Sequence, residues 1–199
     1  MDFVYSKDCI EIKDKSLSKL DTFVFDFIKI LEKHAKYVLI SGYVAILFGR
    51  NRSSEDVDIF IEKIDYDVFS KLWEEIYVRF ECINTHDVKN AYDNYLSEGL
   101  SLRFAKKNTF IPNIELKFPK VELDSWTLHE CRKVMINGKI LFISPLELEI
   151  PFKLFLGSEK DIEDASHLFK LFKDHLDMKT LTDFNRKLKT QDLFNKYLR

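Results

Sequence analysis

Residues that break regular structure are scarce in this chain. Its 199 residues include only 5 glycines and 4 prolines, which excludes collagenous, low-complexity and linker-rich classes. Cysteine is equally rare: Cys9, Cys82 and Cys131 are widely spaced, with no Cys-x-x-Cys pair and no paired histidines nearby. Neither a disulfide framework nor a zinc site is indicated, and buried free thiols are expected. The histidines, His34, His86, His129, His167 and His175, lack His-x-x-x-His and His-Glu-x-x-His spacing. No Walker A, Gly-x-Gly-x-x-Gly or Ser-His-Asp pattern is present, which argues against P-loop, dinucleotide and hydrolase chemistry. Charge of one sign is not in excess, since 31 Lys and Arg face 33 Asp and Glu for a formal net charge of -2. A nucleic-acid partner would have to be held by a local patch. Long hydrophobic runs are missing too. The most apolar stretch, Tyr37 to Phe48, is too short to cross a bilayer and is interrupted by Ser41-Gly42. Met1 to Ile10 mixes charges among its apolar residues, unlike a leader peptide, so a cytoplasmic protein with no membrane partner is expected.

What the chain has in quantity is apolar and aromatic side chain, 46% hydrophobic with 18 Phe, enough for one domain or a compact core with a small helical appendage. Leu17, Leu20, Phe23, Val24, Phe27, Ile28, Ile30 and Leu31 recur at helical spacing, predicting a helix within 16–36 capped by Ser16. Tyr37 to Ile40 reads as a strand, Ser41-Gly42 as a turn, and Tyr43 to Phe48 as a short helix ended by Gly49. Asp56 to Ile61 alternates as a strand and Tyr66 to Tyr77 is helical in pattern. Asp87 to Leu96 and Leu123 to Cys131 are weaker helical segments, with strands at Ser101 to Phe104 and Ile111 to Phe118. Lys133 to Ile143, turning on Asn137-Gly138, is a hairpin, because Asn-Gly suits a type I′ turn. Ser144-Pro145-Leu146-Glu147 reads as an N-cap, an N1 proline and a capping-box glutamate. Helices over 146–156, 161–172 and 181–188 then form a bundle, giving an α/β (α+β) core over 1–143 and a helical region over 144–199. The Phe-rich stripes fit packing better than base stacking.

Asp56 and Asp58 are one residue apart on the predicted strand, so both carboxylates share a face while Val57, Ile59 and Ile61 point the other way. Such a pair suits Mg²⁺, a hard cation that prefers carboxylate and phosphate oxygens. An alternating acidic pair is also what a solvated strand end looks like. Upstream, with thirteen residues between it and Asp56, the Ser41-Gly42 turn offers backbone N–H groups and a hydroxyl to phosphates. Arg50, Arg52 and Ser54 lie in the intervening loop, and Tyr43 is the aromatic nearest the turn.

This stretch resembles the signature of the DNA polymerase beta-like nucleotidyltransferase superfamily, a hydrophobic residue and Gly-Gly/Ser followed by an Asp-x-Asp/Glu pair. The Gly49-Arg50-x-Arg52-Ser-x-x-Asp56-x-Asp58 form is similar to minimal prokaryotic nucleotidyltransferases, including relatives of type IV abortive-infection toxins. Ser41 departs from the pattern, standing where the first glycine is usual. The resemblance implies a small mixed sheet backed by helices. It also implies transfer of a nucleoside monophosphate from a nucleoside triphosphate to an acceptor hydroxyl, with two Mg²⁺ ions (or Mn²⁺) held by Asp56, Asp58 and a third carboxylate. Glu115 is the candidate third, opposite in facing to Ile114 and Leu116, with Glu122 and Asp124 as weaker substitutes. Ser144-Pro-Leu-Glu147, Lys153 and Lys160-Asp161-Ile-Glu-Asp164 match the same group's later pattern. They imply that Lys153 reaches the triphosphate, supported by Lys160, Asp161 and Asp164. The acceptor, whether RNA, protein or small molecule, is not legible. The rival reading is a catalytically inactive protein of the same fold, a binding or regulatory module with a partner such as a cognate antitoxin.

Overall fold

A computed structural model describes residues 2–6 and 9–198 of the chain; Met1, Lys7 and Asp8 of the segment weighed above as a leader lie outside them. The chain begins with β1 (Asp2–Tyr5), β2 (Cys9–Lys13) and α1 (Lys19–Leu31). Ser18, not Ser16, caps α1. Asp21 stands three residues beyond Ser18 and completes a reciprocal capping box, whereas Ser16 has only Lys19 at that offset. Next come β3 (Tyr37–Ile40), α2 (Gly42–Leu47), β4 (Asp56–Ile61), α3 (Tyr66–Ile76) and β5 (Phe80–Cys82). The weak segment near 87–96 is α4 (Val88–Ala91) continued by a π-helical turn at Tyr92–Leu96. It is followed by β6 (Leu102–Lys106), β7 (Asn113–Lys117), α5 (Glu122–His129), β8 (Arg132–Ile136) and β9 (Lys139–Ile143). The β8–β9 turn has φ 50° at Asn137 and 76° at Gly138, as the type I′ expectation requires. The helices α6 (Leu146–Leu156), α7 (Glu159–Phe172), α8 (Met178–Lys187) and α9 (Gln191–Tyr197) complete the described residues.

The start of α6 differs from expectation. Pro145 itself occupies the cap position, with no side-chain cap, and Leu148 and Glu149 donate to its carbonyl. The Glu147 carboxylate instead accepts from the backbone of Asp177, 3.1 Å away, so a tertiary partner displaces the local capping box. Gly157, with φ 71°, ends α6 in the left-handed conformation that glycine adopts without strain.

The chain contacts divide into two units, and they group it differently from a cut at 143/144. One, the internal unit, comprises Lys15–Leu39 and Ser53–His129. Its strands run in the order β3-β4-β7-β6-β5. β4 and β7 are parallel, while β6 is antiparallel to both β7 and β5. Glu62 donates to the Lys36 carbonyl, so the end of β4 lies at the start of β3 and those two strands run antiparallel. Phe27 of α1 packs on Phe80 and Phe104 at 5.2 and 5.7 Å, and Trp73 of α3 meets Phe104 at 5.6 Å. Aromatic burial of this kind supplies large apolar area per residue.

The terminal unit gathers the described part of 1–14 with Ile40–Arg52 and Glu130–Arg199. β1 pairs antiparallel with β2, β2 parallel with β8, and β8 antiparallel with β9. These pairings explain why the first residues group with the last: Ile10 and Ile12 face Val134 and Ile136 in register, all essentially buried. Helix α7 packs on α2 and on α6, and α6 packs also on α8; Phe48, at the end of α2, meets Phe172 of α7 at 4.8 Å, joined by Phe3. Both units mix helix and strand, the α/β class expected.

Candidate functional site

The internal unit carries the acidic pair on β4. Val57, Ile59 and Ile61 are fully buried, so the alternation turns Asp56 and Asp58 to the opposite, more accessible face. The parallel partner β7 sets Asp56 beside Asn113, Asp58 beside Glu115 and Phe60 beside Lys117. Ile114 and Leu116 are fully buried, so Glu115 and Lys117 share the face of Asp58. On the next strand Arg103 stands opposite Glu115. The Ser54 hydroxyl donates to the Asp56 carbonyl at 2.9 Å and fixes the start of the strand.

Two of the three carboxylates already have cations. Lys117 Nζ lies 3.0 Å from Asp58 Oδ1, and Arg103 Nε donates to Glu115 Oε1 at 2.7 Å. The donor chemistry, hard oxygens side by side on one face, fits a magnesium ion, which needs only one or two carboxylates when phosphate oxygens and water complete its shell. Among the described residues, however, no three His, Cys, Asp or Glu side chains converge as a metal-holding group. The weaker substitutes do other work: the Asp124 carboxylate accepts from the backbone of Lys120 and Val121 at the start of α5, and Glu122 sits in its first turn.

The phosphate-facing candidates belong to the terminal unit. Ser41 has φ 64° and ψ -138°, a region essentially reserved for glycine, at the position where the resembling family carries one. Its N–H donates to Glu149 Oε2 at 3.3 Å. Gly42 opens α2, and the Arg52 guanidinium lies so close to its Cα that any Cβ there would collide with it. Arg52 is held by a bidentate pair to Asp164, Nε at 3.0 Å and Nη2 at 2.9 Å. Arg50 pairs with Glu163 and approaches Asp164 at 3.7 Å. Tyr43, the aromatic nearest the turn, is fully buried.

Lys153 also departs from expectation. It is 1% exposed, and its ammonium contacts Asp161 at 2.8 Å and Asp164 at 3.2 Å instead of reaching outward. Burial disfavours its charge, but Glu149, Asp161 and Asp164 outweigh that and raise its pKa above the ordinary lysine value. Burial likewise works against the Asp161 carboxylate, and bonds from Lys153 and Ser158 overcome it, holding the pKa below the usual range. Asp164 is fully buried, joining Lys153 to Arg52, while Lys160 is exposed in the first turn of α7.

Sequence reasoning passed over Lys117, Arg103 and Glu149. The period of two that picked out Glu115 also puts Lys117 on its face. Glu149 and Lys153, four apart in a helix whose one other charged residue is Glu147, carry the spacing of a helical ion pair.

No family model matches the chain, and no curated protein sequence does. Solved structures match the fold. An antigenic nucleotidyltransferase-like protein from Paracoccidioides brasiliensis is similar over 89% of this chain and 90% of its own, with a TM-score of 0.50 and 16% identity. The antibiotic-resistance factor ANT(2'')-Ia is similar over 88% of this chain and 94% of its own, with a TM-score of 0.53 and 9% identity. The chain therefore has the fold of nucleotidyltransferase-like proteins, and the likeness is one of fold.

Proposed function

We propose that the chain is a magnesium-dependent nucleotidyltransferase that moves a nucleoside monophosphate from a nucleoside triphosphate onto an acceptor hydroxyl of RNA, protein or a small molecule. The observation that carries this reading is the parallel β4–β7 register, with Asp56 and Asp58 on the face that bears Glu115 directly beside Asp58. Asp56 and Asp58 would hold the divalent cation. When bound, it supplies charge to the phosphates and lowers the pKa of the acceptor hydroxyl. Glu115 would complete a second cation site or accept the hydroxyl proton. The Ser41-Gly42 turn, Ser54, Arg50 and Arg52 would face the phosphates, with Arg52 oriented in advance by Asp164. Lys153 and Asp161 support that orientation, since the Lys153 ammonium is engaged by carboxylates, and Lys160 would add positive charge from the first turn of α7.

The test is calorimetric titration of ATP, GTP, CTP and UTP, with and without Mg²⁺, into wild type and the Asp56→Asn/Asp58→Asn variant. One nucleotide should bind in a Mg²⁺-dependent manner and be lost in the variant. Binding of no nucleotide by folded wild type overturns the proposal. It would favour the non-catalytic module, in which the Lys117–Asp58 and Arg103–Glu115 pairs are permanent. A transfer assay adds the kinetic arm: Asp58→Asn should abolish turnover with the fold intact.

A further inference from the structure

Two lysines stand beside carboxylates of interest, and their surroundings differ. The Lys153 side chain is 2% exposed and committed to two buried aspartates. The Lys117 side chain is 26% exposed and its partner Asp58 is 21% exposed. Lys117 sits one register step beyond Glu115 on the shared face, its ammonium 5.4 Å from the Phe60 ring centroid, and it reaches diagonally back to Asp58. A cation of that kind is tethered to the carboxylate yet free of the burial that would make the pair permanent.

We propose that Lys117 is the tethered counter-cation of Asp58, displaced when a divalent cation takes that carboxylate and then turned to the phosphates the cation carries. This rests on the metal-dependent reading above. An ammonium left beside a divalent cation is repelled by it until an anion lies between them. Two effects of opposite sign follow. Lys117 opposes binding of the bare cation, because it competes for Asp58 and repels the newcomer. It favours binding of the cation together with a polyphosphate, because the phosphate oxygens neutralise both charges at once. Lys117 thereby makes the face selective for a cation bound to polyphosphate over the cation alone.

The test uses the full chain with Mn²⁺ and inorganic tripolyphosphate as probes, read by electron paramagnetic resonance of free Mn²⁺ and by calorimetry. Lys117→Met keeps the stem on Phe60 and removes the charge. It should bind Mn²⁺ alone about three- to tenfold tighter than wild type. The gain in Mn²⁺ affinity on adding tripolyphosphate should shrink by a similar factor, and Lys117→Arg should restore wild-type behaviour in both arms. A merely structural lysine would move the two affinities together or not at all. Mn²⁺ binding unchanged or weakened in Lys117→Met, with binding still lost in Asp56→Asn/Asp58→Asn, overturns the role of Lys117 and leaves the carboxylate site standing. Wild type that binds no Mn²⁺, or a double variant that binds it as well as wild type, overturns the site and this inference together.

Discussion

The two units carry ionic assemblies of similar composition and opposite character. In the terminal unit Lys153, Asp161, Asp164 and Arg52 form a network whose shared member, Asp164, is fully buried. In the internal unit Lys117–Asp58 and Arg103–Glu115 lie on an accessible strand face. A buried charge deprived of its partner is left in a poorly polarisable interior, so the first assembly is obligatory for the fold. An accessible pair exchanges its partner for water or another ion at little cost, so the second is available for binding. Burial, more than residue type, separates a lysine that holds structure from one that can meet a ligand.

Loss of the buried lysine is the most damaging change. Lys153→Met takes the buried cation from Asp161 and leaves Asp164 to the arginines alone, and the protein should lose about 3–5 kcal/mol in urea unfolding. A loss under 1 kcal/mol would mean that the network is as dispensable as the exposed pairs. Acid acts on the same buried network. The Asp161 pKa is lower folded than its ordinary value of 3.8, so its contribution is fully present above that value and disappears as pH falls through the folded one. Unfolding transitions followed from pH 7 to pH 2 should therefore show a stability loss below about pH 4 that is smaller in Asp161→Asn.

A smaller and opposite effect is expected at the turn. Ser41 holds a positive φ that glycine adopts freely, so Ser41→Gly should stabilise the protein by about 1 kcal/mol in thermal unfolding. A destabilised variant would mean that the hydroxyl contributes more than the strain removes. The smallest change belongs to the accessible face, where Lys117→Met should alter stability by no more than about 1 kcal/mol, and raised salt should shrink that further. A Lys117→Met loss comparable to that of Lys153→Met would erase the distinction between the two assemblies.

Much of this architecture was legible locally. The alternation of Asp56-Val57-Asp58 and of Ile114-Glu115-Leu116 fixed which side chains share a face, because successive strand residues point oppositely. Asn137-Gly138 marked its hairpin for an equally local reason. The short β1, β5 and α9 were not read, since each offers too few residues for a period to show. The Ser144 cap failed for the converse reason: Glu147 found Asp177, 30 residues away, a better partner than its own helix start.

Local order along the chain sets which residues alternate, where the chain turns and which carboxylates of one strand share a face, because those follow from backbone geometry over a few residues. Which cation each carboxylate meets is settled by packing, Asp164 with Arg52 across 112 positions and Asp58 with Lys117 across 59. Charge pairing depends on distance in space and on access to water, and neither is set until the strands and helices have packed.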